Sequence, residues 1–313
     1  MIEVQDLTKA YGSTVAVDHA SFTVRPGLVT GFLGPNGAGK STTMRAMLGL
    51  DRPTSGRVLV DGKLYRDLRA PLASVGALLD AKALDKGRSA RTHLLTVGAT
   101  IGIGRRRVDE VLEMVGLTTV AGKSATGFSL GMGQRLGLAL ALLADPETIL
   151  LDEPSNGLDP EGILWLRELI RSLAAEGRTV FVSSHLMSEM ELTADHLVVI
   201  GGGRILADVP MMQLLDASSR THVEVESPDA AELLRVLPGG TGIQATWAAA
   251  ERLDVTGVRA ATIGDVAALH GLRIHSLHTV SASLEEAYMD LTHDTVGYRG
   301  TVPASTLLEG IAR

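Results

Sequence analysis

The chain has 313 residues, 45 % of them apolar and 21 % charged, a composition that supports a buried core and suits one domain of about 200 residues plus a smaller one. A formal net charge of −7 excludes a global basic field for nucleic-acid phosphates, and the absence of cysteine excludes disulfides and thiolate metal sites. Met1 to Asp6 lacks the basic and apolar regions of a secretory signal. The richest apolar stretch, Leu136 to Ala144, is about half the roughly 18 to 20 residues of a membrane span, so the expectation is a chain that stays inside the cell without crossing a membrane.

In chain order, apolar alternation at Ile2, Val4 and Leu7 and again over Ser21 to Val24 predicts short strands. They lead to the apolar run Leu28 to Leu33, which reads as a central strand. Ser41 to Leu48 has a helical pattern, and Asp51-Arg52-Pro53-Thr54-Ser55-Gly56 is a turn into the strand Arg57 to Val60. From about residue 90 to 145 the pattern is mostly helical. Thr148 to Leu151 and Thr179 to Ser183 are short apolar runs flanked by helices, the signature of buried parallel strands. A further strand, Leu197 to Ile200, ends in three glycines. Near residue 218 the texture changes to short alternating strands, Val223 to Glu226 and Arg252 to Val255, with helices between them. The expected division is therefore 1–217, a small α+β accessory domain over 218–293, and a tail over 294–313 without strong periodicity. Ser283-Leu284-Glu285-Glu286 fits a capping box that opens the closing helix. His270, His275 and His278 lack a paired carboxylate at metal-like spacing, and no zinc site is expected there.

Between the central strand and the first helix stands Gly34-Pro35-Asn36-Gly37-Ala38-Gly39-Lys40-Ser41, followed by Thr42. In that setting the G-x-x-x-x-G-K-[ST] spacing exposes consecutive backbone N–H groups to phosphate oxygens, with Lys40 on the outer phosphates and Ser41 on Mg²⁺. Thr148-Ile149-Leu150-Leu151-Asp152-Glu153 supplies two carboxylates at the C-terminal end of a buried strand, where ligand sites of α/β sheets lie. Asp152 suits Mg²⁺ and Glu153 suits polarising a water. Taken alone, the same pair also fits a cap for the segment after Pro154.

With these two elements in place, residues 1 to about 215 resemble the nucleotide-binding subunit of an ABC transporter, of the bacterial drug, antibiotic or lipid exporter kind (ABC-2 type). The resemblance implies a P-loop NTPase fold of α/β class with a mostly helical subdomain, followed here by the small α+β domain. It implies that Tyr11 stacks on adenine. Phe128-Ser129-Leu130-Gly131-Met132 stands in the place of the signature LSGGQ, with Ser129 and Gly131 gripping the γ-phosphate of the opposite subunit; Leu130 and Met132 depart from the common pattern. Asn156-Gly157-Leu158-Asp159 matches the loop that couples the two ATP sites, and His185 matches the switch histidine that contacts γ-phosphate and orients Glu153. Asp80 occupies the position where the family often has glutamine, as a further residue near the metal; an ionised carboxylate cannot donate the hydrogen bond that glutamine gives.

What the resemblance implies is an ATPase that sandwiches two ATP molecules with Mg²⁺ between two copies and powers a separate transmembrane permease from the cytoplasmic face of the membrane, with no nucleic acid involved. The alternative is a soluble ABC ATPase of the ribosome or DNA. Those usually carry two cassettes or a long coiled coil, whereas this chain has one phosphate loop and no sustained heptads. A module that senses nucleotide without hydrolysis is disfavoured by Glu153 and His185.

Overall fold

The structure, a computed structural model, describes residues 1–80, 87–218, 220–237 and 242–292; the expected tail at 294–313 lies outside the described residues. β1 (Ile2–Tyr11) and β2 (Thr14–Val24) pair antiparallel, and β1 takes up β4 (Ser55–Val60) on its other edge. Both outer strands are longer than the alternation alone predicts. Between β2 and β4 come β3 (Val29–Leu33), buried at every position, and α1 (Lys40–Met47).

The chain then runs through α2 (Pro71–Ser74), β5 (Val75–Leu78), α3 (Ala90–Thr100), α4 (Arg105–Met114) and α5 (Leu130–Leu142). α3, α4 and α5 lie in the stretch from about 90 to 145 that the pattern reads as mostly helical, while α2 and β5 precede it. α5 begins at Leu130, three residues before the expected Gly133, because Ser129 Oγ accepts a hydrogen bond from Met132 N at 3.2 Å and so starts the helix. Next are β6 (Thr148–Asp152), α6 (Pro160–Ala175), β7 (Thr179–Ser184), α7 (Met187–Glu191), β8 (His196–Gly201) and β9 (Arg204–Pro210).

These strands build a six-stranded sheet in the order β5-β6-β7-β3-β8-β9, parallel except for β9. The apolar runs are continuous because both faces are covered. Leu150, Phe181, Phe32 and Val198 face one core with α1 and the antiparallel sheet. Their neighbours Ile149, Leu151, Val180, Val182 and Leu33 face the other core with α3 to α6. Phe22, Phe32 and Phe181 join the two sheets with ring centroids 5.1 to 5.8 Å apart, a geometry that adds about 0.5–1.5 kcal/mol per pair beyond burial. β9, which no sequence pattern singled out, is a half-buried edge strand with weak alternation.

After α8 (Met211–Ala217) follow β10 (His222–Glu226), α9 (Ala230–Val236), β11 (Gln244–Ala249), β12 (Arg252–Thr256), α10 (Ala260–His270), β13 (Ser276–Val280) and α11 (Leu284–Thr292). The four strands form an antiparallel sheet, β11-β12-β10-β13, whose inner face packs Val223, Val225, Leu253 and Val255 against α9 and α10 in a core of its own. α11 belongs elsewhere by packing. Leu284, Ala287 and Tyr288 are buried in the core under the large sheet, against α7 and α8. The capping box at its start is closed both ways: Glu286 N donates to Ser283 Oγ at 3.2 Å and Ser283 N donates to Glu286 Oε2 at 3.0 Å.

Candidate active site

The parallel sheet brings the C-terminal ends of β3, β6 and β7 side by side, and each end carries a residue singled out above. From β3 the chain enters the glycine loop. A Cβ on Gly34 would come within 2.3 Å of the Ile200 carbonyl oxygen, and Gly39, at φ 109°, would put one 2.5 Å from the Ala16 oxygen. Side chains are excluded at both points, so the loop backbone sits tight against β2 and β8. The first N–H groups of α1, beginning at Lys40, have no acceptor within the helix, which makes its N-terminus an anion site. Lys40 is 6 % exposed; its Nζ donates to the carbonyls of Gly34 at 2.6 Å and Pro35 at 3.3 Å and stands 3.7 Å from Glu153 Oε1.

A cavity of about 190 Å³ runs over Asn36, Gly37, Lys40, Ser41, Thr42 and Glu153. A phosphate-binding loop and a carboxylate from a different strand therefore share one space. Asp152 ends β6, and Ser183 Oγ donates a short hydrogen bond to its Oδ1. The Ser41 hydroxyl and the Asp152 carboxylate are hard oxygen donors of the type Mg²⁺ takes, so the donor set fits that ion.

Glu153 is held in a left-handed backbone conformation, φ 49°, which costs a non-glycine residue and persists only where its surroundings over-determine it. They do so here. Glu153 N donates to Ser183 O at 3.2 Å and Ser183 Oγ at 3.0 Å, and its carbonyl accepts from Gln134 Nε2 at 3.2 Å. His185 Nδ1 lies 2.6 Å from Glu153 Oε2. An ionised carboxylate only accepts, so Nδ1 carries the proton and, in the neutral ring, Nε2 is left as an acceptor. Ser183 and Gln134 had no assigned role in the sequence reading. In α5 only Gln134 and Arg135 carry polar side chains, and the structure buries Gln134 to 3 % exposure.

The signature segment and the Asn156–Asp159 loop pack against each other within the chain. A Cβ on Gly131 would lie 2.6 Å from Gly157 O, and Leu130 covers Gly157, which has φ 79°. The two departures from the common pattern thus have packing partners: Leu130 over Gly157, and Met132 against the main core. Asp159 caps α6 by accepting from Gly162 N at 2.9 Å, while Pro160 takes the first helical position. Ser129 caps α5 as described.

Tyr11, half-exposed at the end of β1, donates to Asp51 Oδ2 at 2.7 Å, and Lys9 Nζ sits 4.7 Å from its ring centroid. The hydrogen bond to Asp51 raises the phenol pKa, while Thr42 opposes it. Asp80 is exposed just past β5, one strand from Asp152, and does not line the cavity.

Comparison with known proteins adds three findings. Residues 17–156 match the family model described as ABC transporter, and residues 221–285 match a domain of unknown function. The chain is 44 % identical over 232 residues to the bacitracin transport ATP-binding protein BcrA of Bacillus licheniformis, covering 73 % of this chain and 76 % of that protein. It is 39 % identical to the lantibiotic transport ATP-binding protein SrtF of Streptococcus pyogenes over 66 % of this chain and 90 % of that one, and 34 % identical to the Nod factor export ATP-binding protein I of Cupriavidus metallidurans over 93 % and 97 %. Among solved structures, a dimeric ATP-binding cassette in a post-hydrolysis state with ADP and Pi superposes with TM-score 0.63 at 25 % identity, over 67 % of this chain and 99 % of that one.

Proposed function

Since this chain belongs to the ATP-binding subunits of ABC transporters, we propose that it is the ATPase of a membrane exporter, in which two copies close over two ATP molecules and drive a separate membrane-spanning permease. The observation that carries this reading is the shared cavity in which Glu153, oriented by His185, faces Lys40 and Ser41. Relatives named for bacitracin, lantibiotic and Nod factor transport supply the exporter part.

The loop N–H groups and Lys40 bind the β- and γ-phosphates, Lys40 exchanging its carbonyl partners for phosphate oxygens. Ser41 and Asp152 would hold Mg²⁺, which would supply charge neutralisation on the phosphates. Glu153 accepts the proton of the attacking water, and His185 fixes its carboxylate through Nδ1–H; only the ring protonated on both nitrogens can also donate from Nε2 to a γ-phosphate oxygen. Tyr11 is assigned to the adenine ring, and Asp80 to the loop that reports on the metal. Ser129 and Gly131 serve the ATP of the partner copy, with Asp159 at the seam. Among the described residues no helix is long and apolar enough to cross a membrane, so the crossing falls to the permease. The half-exposed Leu50, Leu72 and Ile101 rim an apolar groove of about 220 Å³ along β5, the strand that leads to Asp80.

The test is Glu153→Gln. It removes the base and keeps the phosphate loop, so ATP binding remains, ATP-dependent dimers accumulate on size exclusion, and turnover falls by about 10²- to 10⁴-fold. Wild-type turnover in this variant overturns the assignment of Glu153. For the exporter reading, the chain is expected to copurify from detergent extracts with a membrane protein; recovery with ribosomes instead defeats it.

A further inference from the structure

The outer face of the C-terminal sheet brings together side chains that are far apart in sequence and that the ATPase does not use. Strand alternation puts Val223 and Val225 inward and His222, Glu224 and Glu226 outward on β10. Glu224 is the pairing partner of Asp254 on β12 and of His278 on β13. Two carboxylates and two imidazoles therefore meet on three adjacent strands. Ligand atoms of His222, Glu224 and Asp254 lie within 4.8 Å of one another, and His278 Nε2 stands 2.9 Å from Glu224 Oε2. Spacing along the chain pairs His278 with no carboxylate and singles out nothing at His222; the pairing runs across strands, where sequence spacing carries no trace of it.

Two features distinguish this group from a solvated charge cluster. Asp254 Oδ1 is shielded from solvent and has no hydrogen-bond partner among the described residues, an arrangement that costs free energy for a carboxylate oxygen unless a cation satisfies it. It stands 4.0 Å from His222 Nε2. His222 Nδ1 in turn donates to the Arg220 carbonyl at 2.9 Å, which leaves Nε2 with its lone pair available on the side of Asp254. A histidine fixed through one nitrogen by a backbone carbonyl, with the other free, is the arrangement that metal ligands use.

We propose that this face binds a divalent transition-metal cation of the zinc type through His222 Nε2, Glu224 and Asp254, with His278 holding the Glu224 carboxylate from β13. Imidazole and carboxylate together select zinc-like ions over Mg²⁺ or Ca²⁺, which prefer oxygen alone. Bond lengths of about 2.0–2.2 Å require the ligands to draw in from their present separations, and the partly exposed side chains leave room for that movement. Arg252, now paired with Glu224, is the built-in competitor. It lies opposite Glu226 in the strand register and moves to that carboxylate when the cation takes Glu224.

The experiment uses the untagged full chain without nucleotide or Mg²⁺, titrated with Co²⁺ as an optical probe and then with Zn²⁺ in competition. One equivalent of Co²⁺ is expected to give a saturable visible absorption band that Zn²⁺ abolishes. His222→Ala, Asp254→Asn and Glu224→Gln should each weaken binding by at least about tenfold, with unchanged far-ultraviolet circular dichroism showing that the sheet is intact. Arg252→Gln should tighten binding, a result that a merely structural ion pair does not produce. Asp152→Asn should leave binding unchanged. Absence of a saturable band in the wild type overturns the proposal, as does loss of the band with Asp152→Asn but not with His222→Ala, which would place the ion at the phosphate loop.

Discussion

At Glu153 the backbone has φ 49°, and three different elements fix it: Ser183 from β7, Gln134 from α5 and His185 beyond β7. Gln134 is the least obvious of these. Its side-chain amide is the link between the helix that opens at the signature segment and the residue assigned to water activation. Gln134→Ala removes that link and leaves the Glu153 carbonyl without its side-chain donor, so kcat is expected to fall by about tenfold while the KM for ATP stays within about twofold. Steady-state kinetics decides it; an unchanged kcat would show that Ser183 and His185 suffice. The carboxylates themselves were readable from the sequence, because two adjacent acids after an apolar run announce a strand end. The left-handed turn and the role of Gln134 were not, since both depend on which strand and helix come to lie beside Glu153.

At the scale of elements, α7 starts two residues after His185, and α11 packs on it from the far end of the chain. Leu284, fully buried at the start of α11, donates its N–H to Glu191 Oε2 of α7 at 2.8 Å. The closing helix thus braces the segment that follows the switch histidine. Leu284→Ala creates a cavity in this packed joint and should lower stability by about 2–5 kcal/mol, read as a drop in the midpoint of thermal or urea unfolding; no change would mean that α11 is not docked in solution. The capping box that begins this helix was legible from Ser283 and Glu286 alone, because it is a contact between residues three apart. Its docking partner was not, because Leu284 and Glu191 are 93 positions apart.

Across the whole molecule, two cores lie on opposite faces of one parallel sheet and a third lies under the C-terminal sheet. That last unit has an electrostatic clamp between its α9 end and the segment before β13: the Arg273 side chain and backbone N–H donate to Asp229 and hold its carboxyl at about 2, below the ordinary carboxylate range. A depressed carboxyl stabilises the fold above its unfolded pKa, and the contribution is lost as pH falls through the folded value. Asp229→Asn should therefore melt below the wild type at neutral pH, with the gap closing as pH falls from about 4 toward 2; a gap that does not depend on pH would refute the electrostatic origin. By itself the sequence determined the glycine loop, the acidic strand end, the helix caps and the alternation of buried strands, because each is a local pattern set by neighbours a few residues apart. Only the tertiary structure decided that β3, β6 and β7 end side by side with Lys40, Ser41 and Glu153 around one cavity, that the signature segment interlocks with the Asn156–Asp159 loop, and that His222, Glu224, Asp254 and His278 share one face. Those facts follow from strand order and register, which burial across the whole chain selects and no local spacing encodes.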